Sequence, residues 1–192
     1  MTHALSTEPP ERIIRWHYLW WAIAAVAGMA AAIRIENLWL LNFLHVLSSL
    51  LWTGIDLFMG FVLGPVLRRL SLPIRRDVAR GLTPRTLFIM PTLSIISGTT
   101  GWFLADQLGY TALAWPQFAW VATALGLVAL MTLMGLTFLL PVNVSVCLEL
   151  QKENPDLAKI GRRMRLYFYG NALQGLMQIA TIVVMTRFRA GV

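Results

Sequence analysis

Residues 38–67 read LWLLNFLHVLSSLLWTGIDLFMGFVLGPVL, an almost unbroken apolar run. As an α-helix this run would be about 45 Å long, which is enough to cross a membrane with some tilt. It nevertheless contains His45 and Asp56, and these two share one helical face with Trp52 because each helical residue turns by about 100°. Ionisable side chains at membrane depth usually face the interior of a helix bundle. We therefore expect this face to point inward and to carry the function.

The composition of the whole chain is that of an integral membrane protein. Hydrophobic residues make up 57% of the 192 residues and charged residues only 13%, whereas soluble domains carry about 25% charged residues. The mean hydropathy is +0.65. These values predict an all-α membrane protein. Five transmembrane spans can be drawn, at 16–33, 38–67, 84–105, 115–148 and 166–187.

The spans leave no room for a separate soluble domain, so residues 1–192 are predicted to form a single membrane domain. The polar start is not followed by a convincing cleavage pattern, and we expect the first span to be a retained helix rather than a removed signal peptide. The two longer linkers are 68–83 and 149–165. From Pro155 onward the second linker is expected to form an amphipathic helix on the membrane surface.

The basic residues indicate topology. The pI near 10.5 is high enough for a nucleic-acid-binding protein, but the basic residues cluster in loops beside the spans, so no nucleic acid is expected. If the N-terminus is cytoplasmic, thirteen basic residues lie inside: Arg12, Arg15, Arg68, Arg69, Arg75, Arg76, Arg80, Arg85, Lys152, Lys159, Arg162, Arg163 and Arg165. Only three, Arg34, Arg187 and Arg189, then lie outside. This bias predicts a multi-pass protein of the cell (inner or plasma) membrane with its N-terminus inside and its C-terminus outside.

Several common functions have no support in the sequence. The single cysteine, Cys147, excludes an intrachain disulfide and a cysteine-based metal cluster. Glycine-rich nucleotide-binding loops, the zinc-protease motif and the serine-hydrolase motif do not occur.

Two other spans carry patterned faces. On the fifth span Asn171, Gln174 and Gln178 recur at helical spacing, and amides in hydrocarbon need partners, so this face is expected to point inward. On the third span a stripe of small residues either allows close helix packing or makes room for a bulky ligand, and close packing is the favoured interpretation. This stripe consists of Ser94, Ser97, Gly98 and Gly101.

A family resemblance rests on the second span. His45, Trp52 and Gly54 form the pattern His-x6-Trp-x-Gly, and Pro65 and the basic pair Arg68–Arg69 follow it. This run resembles the first core helix of the copper-resistance-D (CopD) type membrane proteins and, more distantly, of the HemJ-type protoporphyrinogen oxidases. Outside residues 38–69 the likeness is limited to the length and hydropathy of the spans.

The resemblance implies a fold and a cofactor. Those families are four-helix membrane bundles, so the first span of this chain would be an N-terminal addition to a four-helix core. In their haem-binding members a histidine of this helix is an axial ligand of b-type haem, which implies the same metal-ligating role for His45, with Trp52 beside it in the cofactor site. The chain has no second histidine at the depth of His45, because His17 lies at the inner end of the first span.

Depth in the membrane limits the other candidate haem contacts. His45 lies about 10 Å below the outer boundary of its span. Met29 on the first span and Met185 on the fifth reach a similar depth, so either is a candidate second axial ligand, and a five-coordinate iron is the alternative. The outer arginines are candidate partners of the haem propionates. These arginines are Arg34, Arg187 and Arg189.

Asp56 lies about 16 Å deeper than His45, too far to ligate the same iron. We expect it to act in a proton relay, or to be a carboxyl group hydrogen-bonded to one of three amides of the fifth span. These amides belong to Asn171, Gln174 and Gln178.

The leading functional hypothesis is a membrane-embedded b-haem protein that transfers electrons, with a quinone or a redox protein as candidate partner. A small transporter, for copper or another solute, and a non-catalytic subunit of a larger membrane complex or homo-oligomer are the alternatives. For His45 itself the alternative to ligating a cofactor is a hydrogen bond across helices to Ser or Asn. The sequence leaves open whether the protein is an enzyme.

Overall fold

The computed structural model describes residues 14–190, and the side chains of 14–187. Within this range the chain forms five long helices and no strand. We number them α1 (Tyr18–Ile35), α2 (Leu38–Arg68), α3 (Leu72–Gln107), α4 (Phe118–Leu150) and α5 (Leu157–Ala190). A single 3₁₀ turn, Tyr110–Ala112, lies between α3 and α4. All five helices contain a stretch long and apolar enough to cross a membrane, which confirms the predicted all-α membrane fold.

The connection between α1 and α2 is short and well defined. Helix α1 ends at Ile35, and the next residue, Glu36, has a left-handed φ of 55° that closes the helix. Asn37 then caps α2, because its side-chain oxygen accepts a hydrogen bond of 2.9 Å from the backbone N–H of Leu40. With so tight a turn, α1 and α2 run antiparallel.

Two of the long helices contain a wider π-helical turn, and in each a proline follows it. These turns are Phe58–Leu63 in α2, before Pro65, and Gly135–Leu139 in α4, before Pro141. Proline lacks a backbone N–H and its ring collides with the preceding helical turn. A π-turn relieves this collision and lets both helices continue through the proline.

Helices α2, α3, α4 and α5 form the bundle, and each packs against the next, with α5 also packing against α2. Helix α1 lies outside this core and contacts α3 and α2. Its only buried residues are Met29 and Ala32. The arrangement is therefore the expected four-helix core with one added N-terminal helix.

Helices α3 and α5 are longer than the spans predicted from the sequence. Helix α3 begins at Leu72, whereas the predicted span began at 84, so most of the first linker is helical. Helix α5 begins at Leu157, close to the helix expected from Pro155 onward, but that helix runs without a break into the span predicted from 166 and is not a separate surface helix. Both extensions pack together, because the buried Ala79 of α3 joins Ile160 and Met164 of α5 in one apolar cluster. Among the arginines of these segments, Arg80, Arg85, Arg162 and Arg165 are exposed, whereas Arg75, Arg76 and Arg163 are half-buried.

Candidate functional site

His45 is held against α3 by hydrogen bonding. Its ring nitrogen Nδ1 lies 3.0 Å from the backbone carbonyl oxygen of Ser97 and 3.4 Å from the hydroxyl of Thr100. A carbonyl oxygen can only accept, so Nδ1 carries the proton and donates it to Ser97. The other ring nitrogen, Nε2, makes no hydrogen bond with the described side chains or backbone. The imidazole thus presents an unengaged lone pair.

The small residues of α3 make this contact possible. A methyl group placed on Gly101 would lie 2.8 Å from Cε1 of His45, so only glycine lets the ring lie this close to the helix. One turn earlier, the hydroxyls of Ser49 and Ser97 are 2.6 Å apart. Two residues of the stripe, Ser97 and Gly101, therefore contact α2 and accommodate the ring of His45. The other two face elsewhere, since Gly98 points toward Val128 of α4 and Ser94 lines a cavity.

Deeper in the bundle, Asp56 is fully buried and bonded to α5. The side-chain amide Nε2 of Gln178 donates a hydrogen bond of 3.1 Å to Oδ2 of Asp56. The Trp52 indole approaches the same carboxyl group from the preceding turn of α2. The second carboxyl oxygen, Oδ1, has no hydrogen-bond partner. Of the three amides that the sequence offered as donors, Gln178 is the one that reaches Asp56.

A second cluster of polar side chains links α3, α4 and α5. The side-chain amide of Asn143 donates a hydrogen bond of 3.1 Å to the hydroxyl of Thr86, which itself donates one to the carbonyl of Thr83. The Tyr167 hydroxyl approaches Thr86 and the amide of Asn171. Neither side-chain amide atom of Asn171 has a hydrogen-bond partner, so the Tyr167 hydroxyl lies near Asn171 without a hydrogen bond to its side chain.

Several buried amide atoms lack partners in this region. They are Oδ1 of Asn143, both Nδ2 and Oδ1 of Asn171, Oε1 of Gln174 and Oε1 of Gln178. Unsatisfied polar atoms are costly inside a membrane protein and usually mark a place where water or a ligand binds.

A cavity of about 230 Å³ lies beside this second polar cluster, between α2, α3, α4 and α5. Polar side chains in its lining belong to Asn143, Asn171, Gln174 and Tyr167 and to the hydroxyl-bearing residues Thr86, Ser94 and Thr132. Trp52 of α2 also lines it, and the remaining lining is apolar and belongs to α3 and α4. His45 is not part of the lining. Two distinct features therefore lie along α2: the held imidazole and, further along the helix, the cavity.

The proposed accessory haem contacts are spread over several helices. Met29 is buried on α1 and Met185 is half-buried on α5, and among the described residues neither sulfur is hydrogen-bonded to His45. Arg34 is exposed at the end of α1. Arg187 is exposed and its guanidinium lies 4.3 Å from the ring centre of Trp120, a cation–π contact. Arg189 lies outside the residues whose side chains are described.

The sequence interpretation missed Asn143, Thr86 and Tyr167. Asn143 could have been found, since it is an amide in an apolar span and the same reasoning had identified the amides of the fifth span. Thr86 stood at the start of a span that was drawn too short. Tyr167 carried no signal, because a tyrosine near a span end usually marks the membrane interface.

Within the part of the chain that the structure describes, no three His, Cys, Asp or Glu side chains come together as metal ligands do. Comparisons with family models, with curated proteins and with solved structures found no match for this chain. The resemblance to the CopD-type proteins therefore stays a prediction.

Proposed function

We propose that this protein binds b-type haem in the membrane and transfers electrons, with His45 as an axial ligand of the iron. The observation that carries the proposal is the 3.0 Å hydrogen bond from Nδ1 of His45 to the carbonyl of Ser97. Metal-ligating histidines commonly donate their second ring N–H to a carbonyl, which fixes the tautomer and raises the basicity of the ligating nitrogen. Haem would supply one-electron redox chemistry.

The residues around His45 fit this role. Thr100 and Gly101 hold the ring from α3, so its orientation is set before any ligand binds. The side chain is only half-buried, and Nε2 makes no hydrogen bond with the described side chains or backbone. A second ligand would come from Met29 or Met185, the candidates at similar depth, and Arg34 or Arg187 would pair with the propionates.

The orientation of the protein is part of the proposal. The ends of α2 and α4 and the starts of α3 and α5 lie at one end of an antiparallel bundle, and this end carries most of the basic residues. By the positive-inside rule this basic end faces the cytoplasm, and the membrane is the plasma or inner membrane of the cell. His45 then lies in the outer half of the bilayer.

Transport is the second candidate function, favoured by the buried polar groups around Asp56. A carboxyl group and several amides with unpartnered atoms lie inside the bundle at membrane depth. Such groups mark proton or solute pathways in many membrane proteins. For copper in particular, the described residues contain no cluster of three or more His, Cys, Asp or Glu side chains that could bind the ion.

An absorption spectrum of the purified protein, expressed with haem precursor, tests the leading proposal. We expect a Soret band, with α and β bands that sharpen on reduction. His45→Ala should lose the pigment while remaining inserted and monodisperse. His17→Ala is the matched control, because His17 is exposed at the start of α1 and should keep the full haem content. Equal haem per protein in wild type and His45→Ala would refute the ligand assignment.

A further inference from the structure

We propose that the cavity inside the four-helix core is a binding site, entered from the lipid between α3 and α4, for a neutral amphipathic molecule with a flat head that bears carbonyl or hydroxyl oxygens. Quinones and quinols belong to this class. The site stands on residues other than His45, so it goes beyond the proposed haem ligation and does not depend on it.

The outer part of the cavity faces the bilayer. Its lining includes Ile95 of α3 and Leu136 of α4, whose side chains are 50% and 58% exposed. Thr132, one turn before Leu136, is also exposed. Exposed apolar side chains in the middle of membrane-spanning helices contact lipid chains. A molecule dissolved in the bilayer could therefore enter between α3 and α4 without crossing water.

The inner end of the cavity is polar and incompletely bonded. Asn143, Asn171 and Gln174 line it with side chains that are 3%, 0% and 3% exposed. Oδ1 of Asn143, both amide atoms of Asn171 and Oε1 of Gln174 lack hydrogen-bond partners. A ligand head with oxygen atoms would satisfy several of these groups together, which gives binding energy and orientation.

The charge of the lining selects a neutral head. No Asp, Glu, Lys, Arg or His belongs to the lining residues, so a phosphate or carboxylate head would be buried without a counter-ion. Amides both donate and accept hydrogen bonds. The site can thus serve a carbonyl oxygen, which only accepts, and a hydroxyl, which also donates.

The walls suit a flat ring. Trp52 and Tyr167 supply aromatic surface, and Met90 and Met131 supply flexible side chains that adapt to a ligand's shape. The volume of about 230 Å³ far exceeds the roughly 10–15 Å³ that admits one water molecule. A ring-sized head can occupy the polar end while its apolar tail leaves through the lipid-facing side.

Binding can be measured with purified protein in phosphatidylcholine nanodiscs and a decyl-substituted benzoquinone as the probe. Retained probe is counted per protein after gel filtration, with empty nanodiscs as the background. We expect saturable retention near one probe per chain. Retention equal to that of empty nanodiscs would overturn the proposal, because the probe would then be dissolved in lipid only.

Two glycines of α4 give a matched pair of variants. Gly135 lines the cavity and a side chain added there meets no atom within 4 Å, whereas Gly126 has the same free space but is not part of the lining. Gly135→Leu should weaken binding at least tenfold by filling the cavity, and Gly126→Leu should bind as wild type does. Equal binding by both variants would refute the site.

Three further measurements complete the test. Gln174→Leu removes a polar partner and should weaken binding severalfold, and it replaces the glycine variant if that protein fails to assemble. His45→Ala should retain the probe even if it loses haem, since His45 is not in the lining; loss of the probe would contradict a separate site. Competition by decanoate as strong as competition by unlabelled quinone would contradict the neutral-head requirement.

Discussion

Gln178 donates a 3.1 Å hydrogen bond to Asp56, and this contact joins α5 to α2 inside the bundle. Both side chains are buried, Asp56 completely. A carboxyl group at such a position needs a donor or a proton, since an isolated buried charge is costly. Because of this contact, the position of Asp56 on α2 depends on how α5 is rotated about its own axis.

Asp56→Asn should leave stability nearly unchanged, because the new amide oxygen still accepts the bond from Gln178. Gln178→Leu should lower the free energy of unfolding by about 1 kcal/mol, since it leaves the buried carboxyl group without its donor. Unfolding in detergent micelles measures both. A greater loss in Asp56→Asn than in Gln178→Leu would contradict the assigned direction of the bond.

If Asp56 also moves protons, Asp56→Asn should assemble normally but abolish the pH dependence of electron transfer or transport. The measurement is the rate over a range of pH in proteoliposomes, beside the stability of the same preparation. A variant that keeps both its stability and its pH profile would leave Asp56 a purely structural residue.

Gly101→Ala should lower haem content or shift the midpoint potential, because the added methyl group would lie 2.8 Å from Cε1 and 3.1 Å from Nδ1 of His45. The ring must move, which weakens its bond to Ser97. Gly98→Ala is the control in the same helix. Its methyl group meets only Val128, at 3.8 Å, an ordinary contact. Identical spectra and midpoints for the two variants would argue against a preorganised ligand.

Gly60→Ala should destabilise the bundle by about 1–3 kcal/mol, since the added methyl group would lie 2.5 Å from the Cα atom of Ala172 on α5. Backbone atoms cannot move aside as a flexible side chain can. On the same helix, Gly54→Ala meets nothing within 4 Å and should unfold as wild type does. Similar unfolding curves for both variants would show that α2 and α5 are not in such close contact.

Reporter fusions test the orientation. A C-terminal reporter should be active only outside the cytoplasm, and the same reporter inserted at 151–156, between α4 and α5, should be active only inside. The reason is the thirteen-to-three distribution of basic residues. A C-terminal reporter that is active only inside would contradict the proposed topology.

The sequence by itself determined the membrane class, the number of spans and the inward faces. Apolar length identifies a span, and helical periodicity gives the direction of each side chain around its own axis. For this reason His45, Asp56 and the amide face of the fifth span could all be named before any packing was known.

The tertiary structure alone decided which of these groups meet. Periodicity does not fix how far one helix slides along another or how it is rotated against it, so it could not select Gln178 as the partner of Asp56 or Ser97 as the partner of His45. The same holds for the cavity, which depends on the spacing of four helices at once. The early start of α3 also needed the fold, because its arginine-rich segment becomes a stable helix only when its apolar face packs against α5.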